Sequence, residues 1–467
     1  MQTQVQKEWI ENAIERAKLL GMLNYLPNGE LTHVPFSLSP FAISKSELKN
    51  MIKLTSYFNE LMINVSQNWD FLHEHLSPIA QNDTFIKMLL KLRKNEITQS
   101  NQLLIQRNDF FLINDGEKNI TKNDDDENNV SSDSLIRQVE INTISVSFPF
   151  LITQLCRLHR YYFEQNKIDE IVKNNPLIHI ANHFSKAHKK YGYKDGIILL
   201  VAKKNEHNLF DQVGLEQIVW EKYRIKTVRK SLSEIFENAT LKNGHLVLDG
   251  QVVAITYYRS GYSPTDFIEK NSFEGRKLIE ASSTIQVPNL EIQLAGMKKI
   301  QQVLTNPKII SEFLEPEISR IILKNFVKMN SLDEIFITNG ETISASKWAS
   351  LYPEMFVLKP QREGGGNNYF GREITNVINK LNEKQLNTYV LMEKINPKTH
   401  PAIIVVNRKA EELSCVSEIG RYGICYAENG IIKSNDDIGY LVRTKSEKIN
   451  EGGVCAGFSC LNSLKNC

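Results

Sequence analysis

The ten residues Lys359-Pro360-Gln361-Arg362-Glu363-Gly364-Gly365-Gly366-Asn367-Asn368 constrain this chain more than any other stretch. They follow Met355-Phe356-Val357-Leu358, an apolar run that reads as a buried strand. Pro360 has no N–H for the ladder and ends that strand. Three consecutive glycines then make a mobile loop without side chains, whose backbone amides can come close to a phosphate. Lys359 and Arg362 supply positive charge, and Glu363 supplies a hard oxygen ligand for Mg2+. Together these features point to a nucleotide-phosphate site. A flexible surface turn is the alternative, and the glycines alone would favour it; the flanking Lys, Arg, Glu and paired Asn weigh against it. The chain contains no G-x-x-x-x-G-K-[ST] loop and none of the protein-kinase motifs.

Length and charge narrow the class. The chain has 467 residues, 41% hydrophobic and 24% charged, enough for an ample core and two or three domains, which can interleave. A net charge of +2 gives a nucleic-acid partner no electrostatic support. No apolar run approaches a membrane span, so no membrane partner is expected. The N-terminus is polar and lacks a signal peptide's apolar core, which points to a cytoplasmic protein unless a signal has been removed. Cys156, Cys415, Cys425, Cys455, Cys460 and Cys467 form no C-x-x-C, and no histidine pair is spaced to complete a zinc site. Reduced thiols are expected, with a disulfide among the last three as the rival.

Residues 1 to about 110 read mostly as helix, with Trp9, Ile10, Ala13, Ile14, Ala17 and Leu20, then Leu48, Met51, Ile52 and Phe58, at helical spacing. His73 and His75 point apart on a helix, and His179 and His183 fit an amphipathic helix better than a metal site. A strand over 103–112 leads to a turn at Asn114-Asp115-Gly116. The acidic run 122–134 reads as a solvated loop; it lacks EF-hand spacing. In the strand 137–143, Val139 and Ile141 face one way, and Glu140 and Asn142 the other. A carboxylate and an amide oxygen on one rigid face suit Mg2+, and a polar edge-strand face is the alternative.

From about 194 strands and helices alternate. The apolar run 197–202 reads as a parallel strand covered on both faces, followed by a helix over 212–223 and a strand over 252–258. This predicts a small α/β unit whose ligands sit at strand C-terminal ends, where Glu206, Asn208, Gln212, Arg259 and Tyr262 fall. Pro288 and Lys298 close it, and a helical stretch is expected to 340. Beyond the Gly-rich loop come a helix over 376–382, a strand over 389–395 whose end offers backbone groups to an adenine, and a strand around Glu418. Arg443 and Lys445 share one strand face, aimed at one anion or simply solvated, and a second Gly-rich loop spans 451–457. These parts suit phosphoryl transfer driven by positioning and charge neutralisation, with a lid protecting a water-labile intermediate. The residues alone stop at a nucleotide-dependent transferase or ligase.

Lys359 through Asn368 and Glu140-Ile141-Asn142-Thr143-Ile144-Ser145 resemble, respectively, the glycine-rich lid loop and the metal-binding motif of eukaryotic-type glutathione synthetases. The resemblance runs through nearly the whole chain and is densest from about residue 100. It implies an α/β ATP-grasp fold with an inserted smaller parallel α/β substrate-binding domain and a mobile lid. The expected division is 1–193, a helical region with the metal-binding strand; 194–300, the inserted domain; and 301–467, the ATP-grasp body and lid. It implies ligation of γ-glutamylcysteine to glycine through an acyl phosphate, with ATP as co-substrate, two Mg2+ ions per site, and a homodimer. The implied Mg2+ ligands are Glu140, Asn142 and Glu363. The implied ATP contacts are Glu140, Lys298, Lys359 through Asn368, Phe370, Met392, Glu393, Lys394, Ile395, Glu418, Lys445 and Glu451. The implied peptide contacts are Arg107, Ile144, Ser145, Val146, Ser147, Glu206, His207, Asn208, Gln212, Arg259, Ser260, Gly261, Tyr262, Arg443, Val454 and Cys455. Arg443, Lys445 and Lys298 are the implied catalytic groups.

The chain departs from the family pattern at Ser260, where an acid is usual, and at His207, Phe148-Pro149-Phe150, Phe370, Arg421, Glu451 and Cys455. These changes gather where peptide and acceptor are expected. The alternative reading is therefore a homologue that keeps nucleotide binding but has altered peptide or acceptor specificity or little activity, including a non-catalytic binding protein. A ligase for an unrelated amino-acid pair fits poorly with Arg107, Arg443 and Gln212, which suit a peptide carboxylate and a γ-glutamyl group.

Overall fold

The computed structural model describes residues 2–26, 28–93, 100–114, 134–338, 341–454 and 457–467. The turn at Asp115-Gly116, the acidic run up to residue 133, and Cys455 lie outside the described residues.

The largest sheet has seven strands in the order Thr399–Val406, Phe36–Ser37, Cys460–Asn462, Ile431–Ser446, Lys409–Glu428, Asn101–Leu112, Ile136–Asn142. Its two longest strands form a hairpin turned by Asn429 and Gly430, both at positive φ (48° and 79°), the geometry that matches strand twist. Helix Lys45–Gln67, started by a capping box between Ser44 and Glu47, covers one face with buried Phe58, Leu61, Met62 and Val65. Asn59 of that helix accepts from Gln106 Nε2 at 2.6 Å. A Cβ at Gly423 would lie 2.0 Å from Asn59 Oδ1, so only glycine lets helix and strand approach here. Alternation leaves the opposite face to Arg107, Asp109, Glu418 and Arg443.

A second sheet has parallel strands Thr227–Lys230, Ile197–Val201, Gln251–Tyr258 and Ile285–Val287. Every residue of Ile197–Val201 is buried, as its apolar run predicts. The all-parallel expectation is corrected at Ala239–Lys242 and His245–Leu248, which join antiparallel. Asp249 and Gly250, at positive φ (47° and 79°), fold the chain straight back. A third, antiparallel sheet orders Met329–Ser331, Tyr389–Glu393, Phe356–Pro360 and Tyr369–Phe370.

Other expectations are corrected. Residues 23–43 carry the short strands Leu23–Tyr25, Leu31–His33, Phe36–Ser37 and Phe41–Ile43 instead of helix, because Gly21, Gly29, Pro35 and Pro40 interrupt it. The helical stretch to 340 ends at Leu323; strands Met329–Ser331 and Ile335–Thr338 follow. The helix expected over 376–382 is Arg372–Ile378, entered directly from Gly371 at positive φ. Ile52 is 40% exposed instead of facing the core.

Helix Pro149–Phe163 is tied to strand Phe36–Ser37 and to the C-terminal segment by His159, whose Nε2 donates to the Ser37 carbonyl (2.9 Å) and whose Nδ1 accepts from Ser463 Oγ (2.6 Å). Burial, opposed by the Ser37 carbonyl, pushes its pKa down to about 4. The folded pKa lies below the unfolded value, so this stability is complete above about pH 6.5 and is lost as pH falls toward 4. Between pH 7 and pH 5 the loss through this one group is about 2 kcal/mol. His159→Gln is expected to be less stable at pH 7 yet to lose about 2 kcal/mol less than wild type on that acid step, read by denaturant titration.

Candidate functional site

Two clefts meet on the charged face of the large sheet. The first, about 470 Å³, lies between that sheet and the antiparallel sheet of Phe356–Pro360; the second, about 370 Å³, lies toward the parallel sheet. Arg107, Asn142, Gly364, Gly365 and Arg443 belong to both walls.

Asp109 is the hub. It is fully buried and receives Arg107 Nε (2.6 Å) and Nη2 (2.8 Å), Arg443 Nη2 (2.9 Å) and Asn142 Nδ2 (3.0 Å). Arg443 also reaches Glu418 Oε1 at 2.5 Å. Gly420 faces this cluster; a Cβ there would lie 2.6 Å from both Arg107 Cδ and Asp109 Oδ1. Sequence reasoning missed Asp109. The signal was available, because it is two residues from Arg107 on one strand and so shares its face.

Lys298 Nζ stands 3.6 Å from Glu140 Oε2 and 3.5 Å from Glu363 Oε1. Lys359 Nζ donates to the Val139 carbonyl at 3.1 Å. Burial pushes the Glu140 carboxyl up, but Lys298, Lys359, Arg443 and Arg107 together hold it below its usual range. Burial, aided by the Glu140 charge, carries Glu363 above its usual range against Lys298. Lys359 and Lys445 are both pushed down by burial. Among the described residues no three His, Cys, Asp or Glu side chains converge as a metal cage. The expected set offers two carboxylates and an amide. Asn142 Nδ2 is spent on Asp109 and on Glu140 Oε1 (3.2 Å), so its Oδ1 remains as a hard oxygen donor. That donor set fits Mg2+, which takes few protein ligands.

The two Gly-rich loops touch. A Cβ at Gly365 would lie 2.4 Å from the Gly452 carbonyl oxygen. The Glu451 carboxylate accepts from the backbone amides of Gly366 (3.1 Å) and Asn368 (3.0 Å), and Lys445 Nζ donates to the Asn450 and Glu451 carbonyls. Glu140, Lys298, Lys359, Asn368, Phe370, Met392, Glu393, Lys394, Ile395, Glu418, Lys445 and Glu451 line the first cleft, with Phe111, Val139 and Val357 as apolar wall. Pro360, Gln361, Arg362, Gly366 and Asn367 do not. Arg362, read as a phosphate cation, instead pairs with Asp83 at 2.6 Å.

The second cleft is lined by Ile144, Ser145, Ser147, Glu206, His207, Asn208, Arg259, Tyr262, Glu363 and Val454 from the expected set, and also by Phe148 and Lys203. Its frame is Asp211, fully buried, which accepts from the amides of Phe148 (2.9 Å) and Phe150 (2.9 Å) and from Arg259 Nη1 (3.2 Å). Burial pushes the Asp211 carboxyl up, opposed first by Arg259. Arg259 Nη2 also reaches Ser147 Oγ at 2.9 Å. Asp266 Oδ2 receives the amides of Gly261 (2.8 Å), Tyr262 (3.0 Å) and Ser263 (3.2 Å), and its Oδ1 pairs with Lys203 at 2.7 Å. Asn208 Nδ2 and Arg259 Nε are buried without a partner among the described residues. Val146, Gln212, Ser260 and Gly261 lie behind the wall, although both amide atoms of Gln212 are also unpartnered. Arg421, read as a substrate-side departure, lines neither cleft and pairs with Asp437. Asp211 was missed because it caps backbone far away in sequence (|i−j| = 63 and 61), whereas Asp266 binds amides only three to five residues before it, and its signal, the Ser263-x-x-Asp266 capping box, was available.

Asp211→Ala would strand the buried Arg259 charge and two amides. It is expected to cost about 3–5 kcal/mol in unfolding free energy, read by denaturant titration.

The family model described as eukaryotic glutathione synthase, ATP binding domain, matches residues 3–465. The chain is 34% identical over 455 residues to the chloroplastic glutathione synthetase of Solanum lycopersicum, covering 94% of this chain and 79% of that one. It is 33% identical over 454 residues to the glutathione synthetase of Dictyostelium discoideum (93% and 91% covered) and 31% identical over 475 residues to that of Homo sapiens (98% and 96% covered). Among solved structures, a glutathione synthetase-like effector from Globodera pallida, in its apo form, shares the fold with a TM-score of 0.76 at 20% identity, over 99% of this chain and 97% of that one. The chain belongs to the eukaryotic glutathione synthase family.

Proposed function

We propose that this chain is an ATP-dependent ligase that joins γ-glutamylcysteine to glycine, giving glutathione, ADP and phosphate. The observation that carries this reading is the shared wall of the two clefts. A nucleotide in the first and a peptide carboxylate in the second meet beside Arg107 and Arg443, with Lys298 in the wall of the first. The carboxylate oxygen attacks the γ-phosphorus as the bond to ADP breaks; the glycine amine then attacks the acyl carbon and phosphate leaves. Arg443 and Lys445 neutralise charge developing on the transferred group, and Lys298 and Lys359 hold the phosphates. Glu140, Asn142 and Glu363 would hold Mg2+, which would supply further charge neutralisation at the phosphates.

The unpartnered Asn208 and Arg259 atoms support the second cleft as the peptide site, since buried polar groups find partners in ligands when protein provides none. Phe150 packs where a Cβ at Gly214 would lie 2.2 Å from its ring, so the Phe148–Phe150 departure is accommodated by a matching glycine. We read the architecture as ATP-grasp, with 194–300 as the substrate-binding insertion and the loops around Gly365 and Gly452 as a lid that keeps water from the acyl phosphate. A homodimer is supported by Val213 (36% exposed) and Trp220 (51% exposed), seven residues apart on one face of helix Leu209–Tyr223. The free thiols Cys156, Cys415, Cys425 and Cys460 support a reducing, cytoplasmic setting, and no described helix is long and apolar enough to cross a membrane.

The test is ADP release with Mg-ATP and γ-glutamylcysteine, with and without glycine, and products identified by mass. Glycine-dependent glutathione is expected. Arg443→Ala is expected to lower its formation by about a hundredfold or more, as for loss of a charge-stabilising group. ATP binding without glutathione formation would overturn the reading.

A further inference from the structure

Arg362 stands inside the Gly-rich motif, yet its guanidinium lines neither cleft. Its Nη1 donates to Asp83 Oδ2 at 2.6 Å and to the Gln361 carbonyl at 2.7 Å, and the group lies 6.0 Å over the Phe85 ring. Asp83 is 7% exposed. Its other oxygen, Oδ1, accepts from the amides of Phe85 (2.9 Å) and Ile86 (3.0 Å), which starts helix Thr84–Leu90. One carboxylate therefore joins a helix of the N-terminal region to the base of a loop some 280 residues later in sequence (|i−j| = 279).

The neighbours of Arg362 are held elsewhere. Gln361, 1% exposed, accepts from the Lys299 amide at 3.0 Å, and Glu363 faces Lys298 at 3.5 Å. Gln361 and Glu363 thus go to the start of helix Lys298–Val303, and Arg362 between them goes to Asp83. Beyond them, Gly364 and Gly366 sit at positive φ (89° and 86°). A glycine run has wide backbone freedom, and ordering it on a ligand costs affinity unless its start is already placed.

We propose that the Asp83–Arg362 pair is a positioning device that fixes the base of the Gly-rich loop. Arg362 supports nucleotide binding through Asp83 and does not touch the nucleotide. This rests on the reading of the first cleft as the nucleotide site.

Asp83→Asn keeps an oxygen for the helix cap and removes the charge that Arg362 pairs with. Arg362→Gln removes the other partner, a side chain that is 28% exposed, and leaves Asp83 its two helix-cap amides; a thermal melt of each variant checks that it is folded. Two readouts decide: hydrogen exchange of the amides of 363–368 in the nucleotide-free protein, and equilibrium binding of a non-hydrolysable ATP analogue with Mg2+. Each variant is expected to speed that exchange and to weaken the analogue about tenfold, with the double variant no weaker than either single one. Arg362→Lys is expected to recover part of the affinity by restoring charge without the planar fork. Asp83→Asn binding like wild type while Arg362→Gln is weakened would overturn the proposal, because Arg362 would then contact the nucleotide itself. Unchanged exchange in both variants would overturn it as well. Failure of wild type to bind the analogue would overturn the nucleotide reading instead. The exchange arm uses no nucleotide and would still decide the anchor.

Discussion

A single buried carboxylate, Asp109, holds the centre of this protein together. Arg107, Arg443 and Asn142 come from three strands of the large sheet and converge on its two oxygens. Removing one partner of such a pair leaves an uncompensated buried charge, at about 3–5 kcal/mol. Arg107 and Arg443 are also the walls common to both clefts. The interaction that makes the sheet's polar face tolerable therefore also places these two cations between the two clefts. Gly420 is part of that arrangement, since any side chain there would occupy the space of Arg107 and Asp109.

Around this hub the buried charges are nearly balanced. Arg107, Arg443, Lys298 and Lys359 stand against Asp109, Glu140, Glu363 and Glu418. In a weakly polarisable interior such balance is what lets so many ions coexist. Burial pushes both Glu140 and Glu363 up; Lys298, Lys359, Arg443 and Arg107 together hold Glu140 down, whereas at Glu363 burial and the Glu140 charge outweigh Lys298. The two Gly-rich loops meet over the same ground, with Glu451 seated on loop amides of a kind that can also receive a phosphate.

Much of the site was legible in sequence because it is local. Lys359, Glu363 and the glycines lie in one run, and alternation alone put Glu140 with Asn142 and Arg443 with Lys445 on shared faces. The apolar run of Ile197–Val201 announced a doubly covered strand, and the structure buries all of it. Errors came where local pattern was trusted without its punctuation. Glycines and prolines between 21 and 40 argued against continuous helix there, and Asp249-Gly250 signalled the antiparallel return.

The sequence by itself determined which residue types are present and their spacing within each strand and loop, which is what the reading of a nucleotide-phosphate loop with oxygen ligands nearby rests on. Only the tertiary structure decided which charges oppose one another. It turned Arg362 away from the clefts to Asp83, took Arg421 to Asp437, and made Asp109, Asp211 and Asp266 the supports of the two walls. The reason is physical. A strand's period fixes the face on which a side chain lies, but not which charge lies opposite. The pairs Asp83–Arg362, Asp109–Arg443 and Asp211–Arg259 join segments far apart in the chain, and there the partner is chosen by how sheets and loops pack.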